Sequence, residues 1–338
     1  MNKLLFALFT LVLFSCSKAE TSPVLAAPSN LTIAATVYTD SSGNAEFEVN
    51  ATNATSYDFD FGDGVFKSTT NKKLLYKYSK SGKYKVTVLA KNSAGYDSKT
   101  MDIEVTIKLV PYWSDEFGYT GVPDASKWGY DIGTGDNGWG NAEQQYYTDR
   151  SDNAFVSNGT LKIITKAESF GGKSYTSARL LTKDKFAFQY GKVEVRAKLP
   201  VGVGTWPAIW MLGSNIGSAG WPACGEIDIM EHRGSELNKI FYTLHYPGHS
   251  GSNGTGKTSI IPFVTSEFHV YSIEWNASSI QFFVDGVNQY TFPNNTTIPF
   301  NHDFFIILNT AMGGYFGGTI DPAFTTSTME IDYVRVYK

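Results

Sequence analysis

The stretch Gly225-Glu226-Ile227-Asp228-Ile229-Met230-Glu231-His232 constrains this chain more than any other. It carries three carboxylates, yet its two β-branched isoleucines and its methionine belong to a buried strand. Side chains along a strand alternate between faces. Glu226 and Asp228 therefore share one face, and Ile227 and Ile229 share the other. Strict alternation would carry Met230 to the acidic face and drive Glu231 into the apolar interior, where a charged carboxylate is very unfavourable. One extra residue, a β-bulge near Met230, restores the phase. The expectation is Glu226, Asp228 and Glu231 in a row on one face, with the bulge between the last two.

That row suggests a reaction. With the bulge, Glu226 and Glu231 stand about four strand steps apart, roughly 13 Å between backbones. Two glutamate side chains leaning together close most of that gap. Retaining glycosidases use a carboxyl separation of about 5–5.5 Å, one group as nucleophile and one as proton donor. Repulsion among three crowded carboxylates raises at least one pKa and so supplies a protonated acid near neutral pH. Taken alone, the same spacing also suits a calcium site or a solvated acidic face.

Trp221-Pro222-Ala223-Cys224 leads into the acidic strand, and Gly204-Thr205-Trp206-Pro207-Ala208-Ile209-Trp210-Met211-Leu212 lies upstream. Together they resemble the catalytic region of glycoside hydrolase family 16. The E-x-D-x-x-E spacing is that of its laminarinase-like members, not the E-x-D-x-E of the lichenases. The resemblance runs from about Trp113 to Lys338. It implies an all-β chain with a β-jelly-roll sandwich and an open groove. Glu226 would be the nucleophile and Glu231 the acid/base, with Asp228 orienting Glu226 and modulating its charge. The implied activity is endo-hydrolysis of β-1,3-glucan of the laminarin type, with mixed-linkage β-glucan as a second substrate and no cofactor for catalysis. A same-family hydrolase of agar, porphyran or carrageenan is one alternative. A non-enzymatic glucan-binding protein is another, although such proteins commonly lose the acids that are all present here.

The resemblance also nominates a substrate-binding set. The segment Trp139–Tyr147 resembles a groove-lining region in which Asn141 and Gln145 would fork amides onto sugar hydroxyls, or else tie down a loop. Arg179 would bind a hydroxyl or form an ordinary ion pair. Trp206, Trp210 and Trp221 would offer indole faces to sugar C–H faces, against simple core packing. His245 and Asn309 complete the set. Family members often carry one structural calcium, for which the matching positions are Glu116, the Gly159 carbonyl and Asp332; oxygen donors suit that ion.

The rest of the chain reads as carriage for this unit. A length of 338 residues suggests about two domains. The net charge of −4 argues against a nucleic-acid partner. Lys3 and the apolar run from Leu4 to Phe14 form a signal-like segment too short to span a bilayer. It ends at Leu13-Phe14-Ser15-Cys16, which resembles a lipobox. That implies a signal over residues 1–16, lipidation of Cys16, membrane attachment at the bacterial cell envelope, and a Ser/Pro/Ala-rich tether over 17–30. Cys224 is the other cysteine and reads as a small buried hydrophobe. Residues 31–108 alternate apolar and polar. Tyr57-Asp58-Phe59-Asp60-Phe61-Gly62-Asp63-Gly64 with Gly82-Lys83-Tyr84 resembles a PKD domain, an immunoglobulin-like sandwich. All seven tryptophans lie beyond residue 112, so this unit reads as a spacer. Val110-Pro111 marks the junction, and the catalytic unit spans 111–338. Asp285-Gly286 predicts a two-residue hairpin. No helical period is sustained, and the expected state is a monomer.

Overall fold

The computed structural model describes residues 25–338. The expected signal and Cys16 lie outside the described residues. The chain divides into two compact units that meet in sequence at Leu109 and Val110.

The first unit is a small β-sandwich. One sheet pairs Ser29–Val37, Asn44–Thr52 and Lys73–Lys77; the other pairs Phe66–Thr69, Ser56–Asp60, Gly82–Asn92 and Gly95–Val105. Its first strand begins at Ser29, inside the stretch expected to be tether. Alternation does what the sequence predicts. Tyr57, Phe59 and Phe61 are buried with Phe47, Val86 and Val88, and the intervening acids face outward. Asp58 pairs with Lys91, and Asp63 accepts a hydrogen bond from Tyr76 at 2.7 Å.

The second unit is a jelly-roll of two stacked antiparallel-rich sheets, one of ten strands and one of seven. The seven-stranded sheet runs in the order Thr255–Ile260, Lys239–His245, Glu226–His232, Thr205–Gly213, Phe304–Met312, Arg179–Leu181, Gly129–Tyr130. Its inner face sends Ile209, Met211, Ile227, Ile229 and Leu244 into one buried cluster with Val193, Val195, Ile273, Ile331 and Val334 of the other sheet. Its outer face carries the acids. Among the described residues the α-helices are single turns, Ile216–Ala219 and Gly314–Gly317. Asp285 and Gly286 take φ of 50° and 77° between Ser279–Val284 and Val287–Pro293, the left-handed pair that a two-residue hairpin requires.

One inward residue breaks the apolar pattern. His232 follows Glu231, so alternation points it into the core, where it is fully buried with neither ring nitrogen hydrogen-bonded. Burial pushes its pKa down to about 4 from 6.5. The unfolded chain therefore takes up this proton first as pH falls. Stability is present above pH 6.5 and is lost as pH drops toward 4, by up to about 3 kcal/mol. We expect His232→Leu to flatten the pH dependence of the unfolding midpoint between pH 6.5 and 4. An unchanged slope would show that this imidazole does not set the acid limit.

Candidate active site

The acidic strand is launched from a tight turn. Gly225 sits at φ 73°, and a Cβ there would stand 2.6 Å from the Pro299 carbonyl oxygen, so only glycine fits. Asp228 then pairs with Thr243 and Glu231 with Phe241 on the neighbouring strand, so Ile229 and Met230 together oppose Tyr242 alone. This is the expected bulge, and the opposite neighbour registers it too, stepping from Ile209–Met230 directly to Trp210–Asp228. Ile229 and Met230 both turn inward, and both are buried. Glu226, Asp228 and Glu231 thereby share the outer face with Thr243 and His245 of the adjacent strand.

Each glutamate has its own indole. Trp221 Nε1 donates to Glu226 Oε2 at 2.8 Å, and Trp206 Nε1 donates to Glu231 Oε1 at 3.0 Å. Thr243 Oγ1 donates to Glu231 Oε2 at 3.3 Å. His245 Nε2 lies 3.4 Å from Asp228 Oδ2 and 3.9 Å from Glu226 Oε1. The site is dry enough to move protons. Burial, then the Asp228 charge, pushes Glu226 up to about 8, against the Trp221 hydrogen bond. Burial pushes Glu231 up to about 7, with Trp206 working against it. Asp228, only 3% exposed, is raised well above the usual carboxylate range, by burial first and the Glu231 charge second.

The other nominated residues divide. Trp221 is 48% exposed and free to meet a ligand. Trp206 is partly buried and packs on Phe316, ring centroids 5.0 Å apart. Trp210 is also partly buried, but its Nε1 donates to Asn309 Oδ1 at 2.7 Å and the Arg179 guanidinium stands 4.7 Å from its ring centroid. Two expectations need correction, those for Gln145 and Asn309, while Asn141 and Arg179 take the loop-tying and ion-pair roles that the sequence left open. Gln145 is fully buried; its Nε2 donates to Glu143 and its Oε1 accepts from the Met312 amide, so it fastens strands and offers nothing to a sugar. Asn309 is 5% exposed and is spent between Trp210 and the Tyr147 hydroxyl. The Asn141 amide nitrogen donates within its own loop, to Trp139 and Glu143. Arg179 lies 2.9 Å from Asp131 and 4.6 Å from the Trp139 ring centroid, as an internal ion pair packed on aromatic faces.

The calcium set does not fit an ion either. Glu116 is forked by Arg335 at 2.9 and 2.7 Å, and Asp332 pairs with Arg196. Both carboxylates are already neutralised by arginines, which would repel a cation. Cys224 is buried as expected, and burial pushes its thiol up to about 11.

Sequence reasoning missed the residue at the centre of the supporting network. Glu143 is 5% exposed and accepts from Gln145 Nε2, Tyr147 Oη and Asn141 Nδ2. Burial raises its pKa. Through Tyr147 and Asn309 it reaches Trp210, so a fourth buried carboxyl braces the floor beside the first three. The signal was present: residues 143, 145 and 147 recur at strand period and fall on one face. Phe316 and Thr243 were also missed, and nothing local in the sequence marks them.

Comparison with known proteins gives the family. Residues 141–335 match Glycosyl hydrolases family 16, and residues 21–107 match the PKD domain. A beta-glucanase of Rhodothermus marinus is 46% identical over 242 residues, covering 67% of this chain and 84% of that protein. Glucan endo-1,3-beta-glucosidase A1 of Niallia circulans is 39% identical over 255 residues, covering 67% of this chain and 37% of that one. The X-ray structure of the laminarinase from Rhodothermus marinus superposes with a TM-score of 0.65 at 44% identity, covering 68% of this chain and 98% of that one. A bulged acidic strand, a jelly-roll around it and relatives of this extent lead to one conclusion: the chain belongs to glycosyl hydrolase family 16 and is a glycoside hydrolase.

Proposed function

We propose that this enzyme cleaves β-1,3-glucan of the laminarin type internally, with retention of anomeric configuration. The observation that carries the reading is the placement of Glu226 and Glu231 on one face of a bulged strand, each held by an indole N–H. Glu226 attacks the anomeric carbon while Glu231 protonates the departing glycosidic oxygen. Glu231, now an anion, removes a proton from water as that water attacks the glycosyl–Glu226 ester, and Glu226 leaves as carboxylate. Trp206 and Trp221 donate to anions, so each favours the charged state that its partner must reach. Asp228, beside Glu226 on the same face, orients it and modulates its charge. The chemistry needs two carboxyl groups and water, and no cofactor.

The glucan assignment is supported by the activities named for the similar proteins. A hydrolase of sulfated galactans would favour unpaired cations beside the acids. The arginines that touch the surrounding aromatic residues are instead matched, Arg179 by Asp131 and Arg233 by Glu236. Attachment to the envelope through Cys16, with the PKD unit as spacer and the enzyme a monomer, belongs to the same proposal and rests on the sequence. Incubation with laminarin, mixed-linkage β-glucan, agar and carrageenan should release oligosaccharides from laminarin first. Binding of laminarin without release of reducing ends would favour a glucan-binding protein; cleavage of the galactans alone would replace the substrate.

A further inference from the structure

We infer that Glu226, Asp228 and His245 form a binding site for a late first-row divalent cation, zinc or copper, that competes with the glycan. One ligand atom from each of the three lies within 4.8 Å of the others. A tetrahedral zinc with donors at about 2.0–2.2 Å spaces them about 3.3–3.6 Å apart, with three protein ligands and one open position. His245 Nε2 and Asp228 Oδ2 already stand at 3.4 Å. The second observation is the state of Asp228. The residue is 3% exposed, yet Oδ2 has no hydrogen-bond partner and faces the imidazole. A buried carboxylate oxygen without a donor is unfavourable, and a cation between it and the ring satisfies both.

The donor set selects the ion. One imidazole with two carboxylates suits zinc and copper, whereas calcium and magnesium call for more oxygens. The surroundings set the strength. Resident metal sites anchor the second ring nitrogen of each histidine, but His245 Nδ1 has no partner, and the backbone of Gly254 packs beside the ring. The site therefore binds reversibly. Occupation takes up a lone pair of Glu226. That this inhibits hydrolysis rests on Glu226 being the nucleophile; that the ion binds does not.

The test is calorimetric titration of zinc chloride into the full chain, with the copper(II) electron paramagnetic resonance spectrum recorded in parallel. The wild type should show one site, and one nitrogen should appear in the superhyperfine pattern. His245→Gln should weaken zinc at least tenfold and erase that nitrogen, while calcium chloride gives no heat in either protein. If His245→Gln does not fold, Asp228→Asn is held to the same tenfold criterion. Equal zinc affinity in wild type and folded variants, or no binding by the wild type at millimolar zinc, overturns the site. Binding that depends on His245 but leaves laminarin hydrolysis untouched at saturating zinc would support the metal site and overturn its competition with the glycan.

Discussion

Glu226→Gln should lower the rate of glucan hydrolysis by at least about 10⁴-fold while making the protein harder to unfold. The two effects share one cause. A glutamine keeps the carbonyl oxygen that accepts from Trp221 Nε1 but cannot form the glycosyl ester. It also removes an ionisable group from a site that disfavours charge. Glu226 has its folded pKa pushed up to about 8 from an ordinary 4.5. As pH rises, the unfolded chain therefore loses this proton first, and wild-type stability declines between those values. The variant escapes the decline. With roughly 1–2 kcal/mol regained after screening and relaxation, its unfolding midpoint should exceed that of wild type by about 2–8 °C at pH 8. The two should converge near pH 4.5. Thermal scans at both pH values, beside reducing-end assays, check this. Substantial turnover by the variant would remove the nucleophile assignment, and equal midpoints at pH 8 would contradict the charge strain.

The second large effect concerns the phase of the strand. An alanine inserted between Met230 and Glu231 should turn Glu231 inward and His232 outward. An unpaired carboxylate would then enter the cluster around Ile209, Met211 and Ile227, at several kcal/mol. The insertion variant should lose at least about 10³-fold in hydrolysis and unfold at a far lower temperature. Deleting Met230 should act quite differently. Without it, regular alternation still places Glu231 outward and still opposite Phe241, because Ile229 and Met230 now share the single partner Tyr242. The deletion removes one buried methionine side chain at about 2–4 kcal/mol but keeps the acid on its face. It should remain folded and hydrolyse laminarin measurably. Full activity in the insertion variant, or none in a folded deletion variant, would refute the account of the bulge.

The fold and the acid row were legible because they follow from exclusions. A charged glutamate cannot sit among isoleucines, so the strand had to gain a residue. Asp285-Gly286 between apolar runs left the backbone one compact solution. Apolar alternation at Tyr57, Phe59 and Phe61 settled the face of that strand. The substrate-binding set was less legible for a physical reason. An amide or a guanidinium is equally able to meet a sugar or a neighbouring loop, and the choice depends on residues far away in sequence. Gln145 is claimed by the Met312 amide, and Asn309 by Trp210 and Tyr147. Arg179 is claimed by Asp131 and two indoles. Glu116 and Asp332 likewise met arginines from distant strands. Local pattern fixes which face a side chain takes. It does not say what waits there.

The central claim is that Glu226 and Glu231 act from a shared face in a double displacement. Proton NMR of the anomeric region during the first minutes of laminarin-oligosaccharide hydrolysis tests it directly. The account predicts that the newly released reducing ends appear as the β-anomer and only later drift to the α/β equilibrium. Release of the α-anomer first would mean that water attacks the sugar directly, and would contradict the assignment of Glu226 as nucleophile.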